Sequence, residues 1–153
     1  MRYDCGRPGR VNGQVELRDR EEQLLAMARG AMERAYAPYS GFAVGAAILT
    51  DTGRIFAGCN IENASYGLTN CAERTAVFQM VMAGERAVKG IAVIADAAQA
   101  VSPCGACRQV LAEFGSADTP VFMANLKREV RRATLGELLP YAFSGEDMDA
   151  HEE

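Results

Sequence analysis

Residues 41–50 read GFAVGAAILT, and both sets of alternate side chains in this stretch are apolar. Successive side chains of a β-strand point to opposite faces of its sheet. One face would carry Phe42, Val44, Ala46 and Ile48, and the other would carry Ala43, Ala47 and Leu49. A strand that is apolar on both faces is typical of the centre of a sheet that is covered on both sides. This stretch therefore predicts a layered α/β fold.

The segments after this strand alternate between strand and helix patterns. The turn Asp51-Thr52-Gly53 leads into a second strand, which forms a hairpin with the first and makes the sheet mixed. Further apolar runs predict strands at 90–96 and 119–125, and helical spacing predicts helices at 19–35, 70–84 and 104–114 and a short one after residue 134. The order of these elements predicts a three-layer α-β-α sandwich around a mixed sheet of about five strands.

The predicted sandwich occupies a single domain at residues 19–147. Asp19 and Glu22 fit a capping box at the start of the first helix. Residues 1–18 are rich in glycine, arginine and polar groups and have no apolar period, so they are predicted to form a loose N-terminal extension. Residues 148–153 are predicted to form an acidic tail.

Length, charge and cysteine content limit the class of protein. The chain has 153 residues, and 16 basic against 20 acidic residues leave a net charge of −4, which argues against nucleic acid as a partner. The densest basic run, 127–132, is interrupted by Glu129 and Val130 and is interpreted as a solvated loop or strand end. No signal peptide or membrane-spanning run is apparent, which predicts a cytoplasmic protein without a membrane partner. Five cysteines in such a chain indicate metal binding or catalysis rather than disulfides.

Three cysteines have the spacing of a metal site. Cys104 and Cys107 are three residues apart at the start of a predicted helix, so they share one helix face. Cys71 lies in the first turn of another predicted helix, and helix N-termini stabilise thiolates. The only histidine, His151, is three residues from the end and is not expected to be a ligand. Three protein ligands with one open position are typical of catalytic zinc.

Two charged residues follow Cys71 closely. Glu73 fits a capping box with Asn70, and it also fits a carboxylate that moves protons beside the metal. Arg74 is expected to offset the negative charge of three thiolates, whereas Arg108 fits that role and an ordinary surface position equally well. In the same way Ser102 is predicted to cap the helix that carries Cys107.

Four stretches together resemble one known family. They are AYAPYSGFAVGAAI at 35–48, GCNIENASYGLTNCAERTA at 58–76, SPCGACRQVLAEF at 102–114 and ELLPYAFS at 137–144. They are similar to the cytidine deaminases of the small, homotetrameric kind, in which a cysteine replaces the histidine ligand of the larger enzymes. Paired Pro-Cys-x-x-Cys and Cys-Ala-Glu motifs of this kind belong to the zinc deaminases.

The resemblance implies a reaction and a cofactor. One Zn²⁺ per subunit would be held by Cys71, Cys104 and Cys107, and its hydroxide would attack C4 of cytosine. Glu73 would take the water proton, deliver it to N3 and then protonate the departing amine. The substrates would be cytidine and deoxycytidine, and the products would be uridine or deoxyuridine and ammonia, as in pyrimidine salvage.

The resemblance also implies a set of substrate contacts. Asn60 and Glu62 would hydrogen-bond the ribose, and Phe42 would pack against the nucleoside. Backbone groups near Ala72 and Ser102 would orient the base. Two aromatic residues, Tyr66 and Phe143, would complete the pocket of a neighbouring subunit, which would make a homotetramer with shared active sites a condition for activity.

Other functions predict different features. A polynucleotide editor needs a basic groove and stacking aromatic residues, and this chain is acidic and lacks tryptophan. A nucleotide deaminase needs a phosphate cradle, for which no glycine-rich loop is apparent, and Glu62 would repel a phosphate. A deaminase of a modified cytosine nucleoside remains an alternative. A non-catalytic zinc module needs a fourth protein ligand, and a thiol redox protein predicts that zinc is absent.

Overall fold

A five-stranded mixed sheet lies at the centre of the protein. The structure is a computed structural model that describes residues 13–149. Its helices are α1 (Gly13–Met32), α2 (Ala72–Met82), α3 (Gly105–Phe114), α4 (Leu135–Leu138) and α5 (Glu146–Asp149), with a 3₁₀ turn at Tyr66–Leu68. Its strands are β1 (Val44–Thr50), β2 (Ile55–Cys59), β3 (Val88–Ala95), β4 (Pro120–Asn125) and β5 (Val130–Thr134).

The strand order in the sheet is β2-β1-β3-β4-β5. Strands β3 and β4 are parallel, and the other neighbouring pairs are antiparallel. Parallel neighbours require a crossover connection, and here α3 provides it. The loop after β3 and the first turn of α3 therefore lie at the carboxyl end of β3, where α/β sheets commonly place their functional sites.

Two separate cores cover the two faces of the sheet. On one face Ala46 and Ile48 of β1 pack with α2, α3 and α4. On the other face Ala47 packs with Leu24 and Ala28 of α1. The alternation predicted for residues 43–49 is confirmed, and so is the three-layer sandwich with five strands.

Two glycines let helices pack closely against the sheet. A Cβ at Gly45 of β1 would lie 1.9 Å from the carbonyl oxygen of Ala28, so α1 packs with its backbone on this strand. A Cβ at Gly58 of β2 would lie 2.4 Å from the backbone nitrogen of Ala76 in α2. Both contacts leave no room for a side chain larger than hydrogen, and the second one brings β2 against the backbone of α2.

The first helix differs from its prediction at both ends. It begins at Gly13 and ends at Met32, so Asp19 lies inside the helix and the predicted capping box there is wrong. Residues 13–18, assigned to the loose extension, belong to α1, and the rest of that extension lies outside the described residues. Of the predicted acidic tail, the structure describes only residues 148–149, at the end of α5. His151 lies outside the described residues.

The second half of the basic run at 127–132 belongs to a strand. Its last residues belong to β5, which pairs antiparallel with β4 at the edge of the sheet. Arg132 donates to both carboxylate oxygens of Glu21 on α1, at 2.8 and 2.6 Å. An edge strand can carry exposed arginines, which explains why it resembled a solvated segment in sequence. None of the helices within residues 13–149 is long and apolar enough to cross a membrane.

Candidate active site

The three cysteines converge where α2 and α3 begin. Cys71 immediately precedes α2, Cys104 immediately precedes α3, and Cys107 lies in the first turn of α3. The Sγ atoms of Cys71 and Cys104 are 3.8 Å apart, and all three Sγ atoms lie within 4.8 Å of one another. Cys107 is buried, Cys71 is half-buried and Cys104 is exposed, so the cluster opens toward solvent on one side.

The cysteines themselves occupy the N-cap positions of the two helices. Cys71 and Cys104 both have extended backbone conformations, with ψ values of 155° and 166°, and neither side chain makes a capping hydrogen bond. The predicted caps at Asn70 and Ser102 are therefore wrong. Instead, the Asn70 amide donates to Thr75 Oγ1 at 3.0 Å. The thiols are left free to face each other at the positive ends of two helices.

The cluster favours a thiolate at Cys71. The pKa of Cys71 falls to about 5 because Cys107 hydrogen-bonds to its sulfur and the Arg74 guanidinium lies beside it, although burial acts in the opposite direction. The pKa of Cys107 rises because its thiol shares that hydrogen bond with Cys71 and is buried. Opposite shifts of this kind arise when neighbouring thiols compete for negative charge.

Arg74 is the cation in contact with the cluster. Its Nη2 donates to Cys71 Sγ at 3.3 Å, and this hydrogen bond raises the pKa of Arg74. Its buried Nε has no hydrogen-bond partner within the described chain. Arg108 has different partners, because it donates to Pro103 O at 2.8 Å, Leu138 O at 2.6 Å and Ser102 Oγ at 2.6 Å.

Glu73 is a buried carboxyl beside the thiols. Its side chain is in the first turn of α2 and the residue is only 4% exposed. Burial raises the pKa of Glu73, and the charge of Cys71 raises it further. A carboxyl with a raised pKa can exchange protons closer to neutral pH than an exposed one.

Asn60 and Glu62 shape the segment that leads into β1. The Asn60 amide accepts from Val44 N at 2.9 Å and donates to Phe42 O at 2.8 Å. Glu62 Oε2 accepts from the backbone N–H of Tyr39 at 2.8 Å and of Ser40 at 3.2 Å, and its Oε1 accepts from the Ser40 hydroxyl. The Ser40 hydroxyl and these amides lower the pKa of Glu62. Both side chains are therefore fixed in place.

The remaining predicted contact residues divide by exposure. Ala72 is fully buried in the first turn of α2, whereas Ser102 is exposed on the loop before Cys104. Phe42 is 43% exposed at the entrance to β1. Tyr66 and Phe143 are 74% and 60% exposed, and Tyr66 stacks edge-on against Tyr39 with ring centroids 5.8 Å apart.

Two groups of residues that support the predicted contact residues were not predicted from the sequence. Tyr39 and Ser40 hold Glu62, although they are more than twenty residues away in sequence. Gln109 of α3 donates to Phe143 O at 2.9 Å. These partners are long-range in sequence, and no spacing rule could have found them.

The cluster has the chemistry and spacing of a zinc site. Thiolates bind zinc at about 2.3 Å, which places tetrahedral sulfur ligands about 3.8 Å apart. The Cys71–Cys104 separation of 3.8 Å matches that value. Three sulfur ligands leave one open position, and a buried carboxyl lies beside them. Fold and site together indicate a zinc-dependent enzyme that activates water for hydrolysis.

Comparisons with known proteins agree with this class. Residues 18–123 match the family described as the cytidine and deoxycytidylate deaminase zinc-binding region. The chain is 54% identical over 127 residues to the cytidine deaminase of Sporosarcina psychrophila, across 83% of this chain and 93% of that one. It is 55% identical over 128 residues to the cytidine deaminase of Halalkalibacterium halodurans, across 84% and 97% of the two chains.

Solved structures give the same result. The crystal structure of cytidine deaminase from Burkholderia pseudomallei matches with a TM-score of 0.77 at 50% identity, across 80% of this chain and 98% of that one. The Mycobacterium tuberculosis cytidine deaminase matches with a TM-score of 0.70 at 43% identity, across 80% and 95%. The chain therefore belongs to the cytidine and deoxycytidylate deaminase family. It is a hydrolytic deaminase with zinc as its cofactor.

Proposed function

We propose that this enzyme converts cytidine and deoxycytidine to uridine and deoxyuridine with release of ammonia. The observation that carries the proposal is the buried Glu73 carboxyl, 4% exposed, in the helical turn that directly follows Cys71 of the cysteine cluster. The relatives at 54% and 55% identity, which carry the name cytidine deaminase, support the substrate class. The activity fits a salvage role for pyrimidine nucleosides in the cytoplasm.

Cys71, Cys104 and Cys107 are the proposed ligands of one zinc ion per chain. When bound, zinc at a three-ligand site lowers the pKa of a coordinated water to about 7 and so supplies a nucleophile. Three thiolates carry more negative charge than the ion neutralises. Arg74, 3.3 Å from Cys71 Sγ, offsets part of that excess.

Glu73 moves the protons of the reaction. Its carboxylate takes a proton from the attacking water and gives it to N3 of the cytosine ring, while the water oxygen bonds to C4. Glu73 then takes the remaining proton from the oxygen on C4 and passes it to the amino group, the C4–N bond breaks as the C4 carbonyl forms, and ammonia leaves. The raised pKa of Glu73, which burial causes, suits a group that must alternate between acid and base.

The nucleoside contacts are assigned to residues at or before the starts of β1, α2 and α3. The Asn60 amide uses one donor and one acceptor on the β1 segment, and each of its atoms can form another hydrogen bond. Glu62 accepts three hydrogen bonds and keeps capacity for a ribose hydroxyl. Phe42 packs against the nucleoside, and backbone groups near Ala72 and Ser102 orient the base.

Self-association into a homotetramer is part of the proposal. A groove of about 640 Å³ on the outer side of α2 is lined by apolar side chains that include Phe56, Phe78 and Met82. Met82 is 89% exposed and Phe78 is 55% exposed, and exposed apolar surfaces of this kind mark interaction sites. Tyr66 and Phe143, also exposed, are the residues proposed to reach a neighbouring subunit's pocket.

The direct test measures substrate and metal on one sample. Purified protein is incubated with cytidine, deoxycytidine and dCMP, ammonia release is followed, and zinc per chain is determined. Turnover of both nucleosides but not of dCMP, with about one zinc per chain, is expected. Zinc without nucleoside turnover would favour a modified cytosine nucleoside as the substrate. Absence of zinc in protein purified without chelators would contradict the proposed mechanism.

A further inference from the structure

Helix α3 holds the C-terminal segment, residues 139–145, at two points. Arg108 Nη1 donates to the carbonyl oxygen of Leu138 at 2.6 Å, immediately before the segment begins. Gln109 Nε2 donates to the carbonyl oxygen of Phe143 at 2.9 Å. Consecutive residues of one helix therefore fix both ends of the stretch that carries Phe143.

Between these two anchors the backbone adopts a left-handed conformation. Tyr141 has φ of 54°, which is unfavourable for a residue with a side chain. Its side chain is fully exposed, so packing of the ring does not hold this conformation. Such a backbone persists where the surrounding structure determines it, and here the anchors lie three residues before it and two residues after it.

The side chain of Phe143 has little support of its own. The residue is 60% exposed, so packing within this chain does not fix the position of its ring. The segment then ends in a local cap, because Ser144 N and Oγ donate to Asp147 Oδ2 at 2.7 and 3.1 Å. The hydrogen bond from Gln109 to the carbonyl of Phe143 thus ties the backbone of this residue to α3.

The same helix turn also joins the segment to the cysteine cluster. Arg108 follows Cys107 directly, and its guanidinium donates to Pro103 O at 2.8 Å and to Ser102 Oγ at 2.6 Å. The loop that leads into Cys104 and the start of the C-terminal segment therefore share one guanidinium. Charge-assisted hydrogen bonds of this length are among the stronger ones in proteins.

We propose that Gln109, supported by Arg108, is a positioning residue that sets the place of Phe143 for nucleoside binding. The inference rests on the proposed role of Phe143 as a nucleoside contact. Gln109 itself touches no reacting atom. Its loss should weaken nucleoside binding and leave the chemistry of bound substrate unchanged.

The test compares the kinetic constants of four variants and one double variant. Gln109→Met keeps the length of the side chain and removes the donor, whereas Gln109→Lys keeps a donor. Phe143→Ala measures how much KM changes when the aromatic ring is lost. The double variant combines Phe143→Ala with Gln109→Met. Gln23→Met is the matched control, since Gln23 is exposed on α1 and accepts a hydrogen bond from Arg20 three residues earlier. Zinc content and thermal unfolding are measured for each protein.

The expected result is a change in KM alone. Gln109→Met should raise KM for cytidine roughly 3- to 10-fold, the effect of one lost hydrogen bond, with kcat and zinc content unchanged. Gln109→Lys should recover most of the affinity, and Gln23→Met should behave as the parent enzyme. In the Phe143→Ala background, Gln109→Met should add nothing to KM, because the two changes remove the same contact.

Three results would overturn the inference, and the third would do so by refuting the proposed role of Phe143. Unchanged KM in Gln109→Met, with a raised KM in Phe143→Ala, would show that Phe143 needs no support from Gln109. An equal rise in KM with and without Phe143 would show that Gln109 acts by another route. Unchanged KM in Phe143→Ala would instead refute the proposed role of Phe143, and the inference would fail with it.

Discussion

The Cα atom of Gly58 lies against the backbone of Ala76, so that a Cβ at Gly58 would be 2.4 Å from the Ala76 nitrogen. The same Cβ would lie 2.6 Å from the carbonyl oxygen of Ala72. Strand β2 therefore presses on the first turns of α2, where Cys71 and Glu73 are located. A backbone contact has no flexible side chain to give way, so the absence of a side chain at Gly58 lets α2 pack this closely against β2.

Gly58→Ala should disturb both stability and the metal site. The added methyl must push α2 away from β2, which we expect to cost about 1–3 kcal/mol, as overpacking usually does. The displacement should also weaken zinc binding, because it moves Cys71 relative to Cys104. Urea unfolding and zinc titration check both effects. Gly30→Ala is the control: Gly30 has open space around it on α1, so the same change should stabilise by up to about 1 kcal/mol.

Cys104→Ala should abolish zinc binding. Loss of a supporting residue around a metal commonly costs 10- to 100-fold in affinity, so loss of a ligand should cost at least about 100-fold. The fold should be less stable too, because the metal joins the starts of α2 and α3. Cys59→Ala is the matched control, since the Cys59 thiol donates to Arg34 O and lies outside the cluster. Equal zinc content in both variants would contradict the proposed ligand set.

Glu73→Gln should retain zinc and the fold but lose turnover. The amide has nearly the shape of the carboxyl and cannot accept or return a proton, so kcat should fall about 10²- to 10⁴-fold. Ammonia release, zinc content and unfolding are measured together. Glu113→Gln, at an exposed position on α3, should leave kcat unchanged. Normal turnover by Glu73→Gln would show that another group moves the protons.

Apolar periodicity was sufficient to predict most of the fold, because both faces of the central strands are buried. Ala46 and Ile48 contact one layer and Ala47 contacts the other, as the pattern in residues 41–50 requires. Strand β5 gave no such signal, since an edge strand can expose arginines. The start of α1 was misplaced because Asp19, a good capping residue, lies within the helix.

The cysteine cluster could be predicted because helix starts and i, i+3 spacing are local properties. The contact between Arg74 and Cys71 could also be predicted, since Arg74 is one helical turn after Cys71. The supporting hydrogen bonds could not be predicted, because they join distant segments. Ser40 reaches Glu62 across 22 positions, and Gln109 reaches Phe143 across 34. Only the three-dimensional fold brings these pairs together.

Glu62→Gln should destabilise the protein in a pH-dependent way. The Ser40 hydroxyl and two backbone amides hold the pKa of Glu62 below its ordinary value of 4.5. A carboxyl with a lower pKa in the folded state adds stability above its unfolded pKa and loses it as the pH falls through the folded pKa. The free energy of unfolding of the parent enzyme should therefore exceed that of Glu62→Gln by the full amount at pH 7, and the difference should shrink below about pH 4.5.

Urea unfolding of both proteins at several pH values measures this difference. Glu33→Gln, at an exposed position after the end of α1, serves as the control and should differ little from the parent enzyme at any pH. A Glu62→Gln deficit that stayed constant down to pH 3 would show that the contribution of this side chain does not depend on its charge.

Mixing two defective variants tests whether Phe143 serves a neighbouring subunit. The Glu73→Gln chain keeps Phe143 but lacks the group that moves protons. The Phe143→Ala chain keeps Glu73 but lacks the aromatic ring. If the aromatic ring acts across a subunit interface, a co-refolded mixture contains sites that combine Glu73 from one chain with Phe143 from another. Those sites should restore a low-KM component that neither variant has alone, and sedimentation of the parent enzyme should give the mass of four chains. A mixture whose activity equals the sum of its separate parts, in an enzyme that does sediment as a tetramer, would place Phe143 in the active site of its own chain.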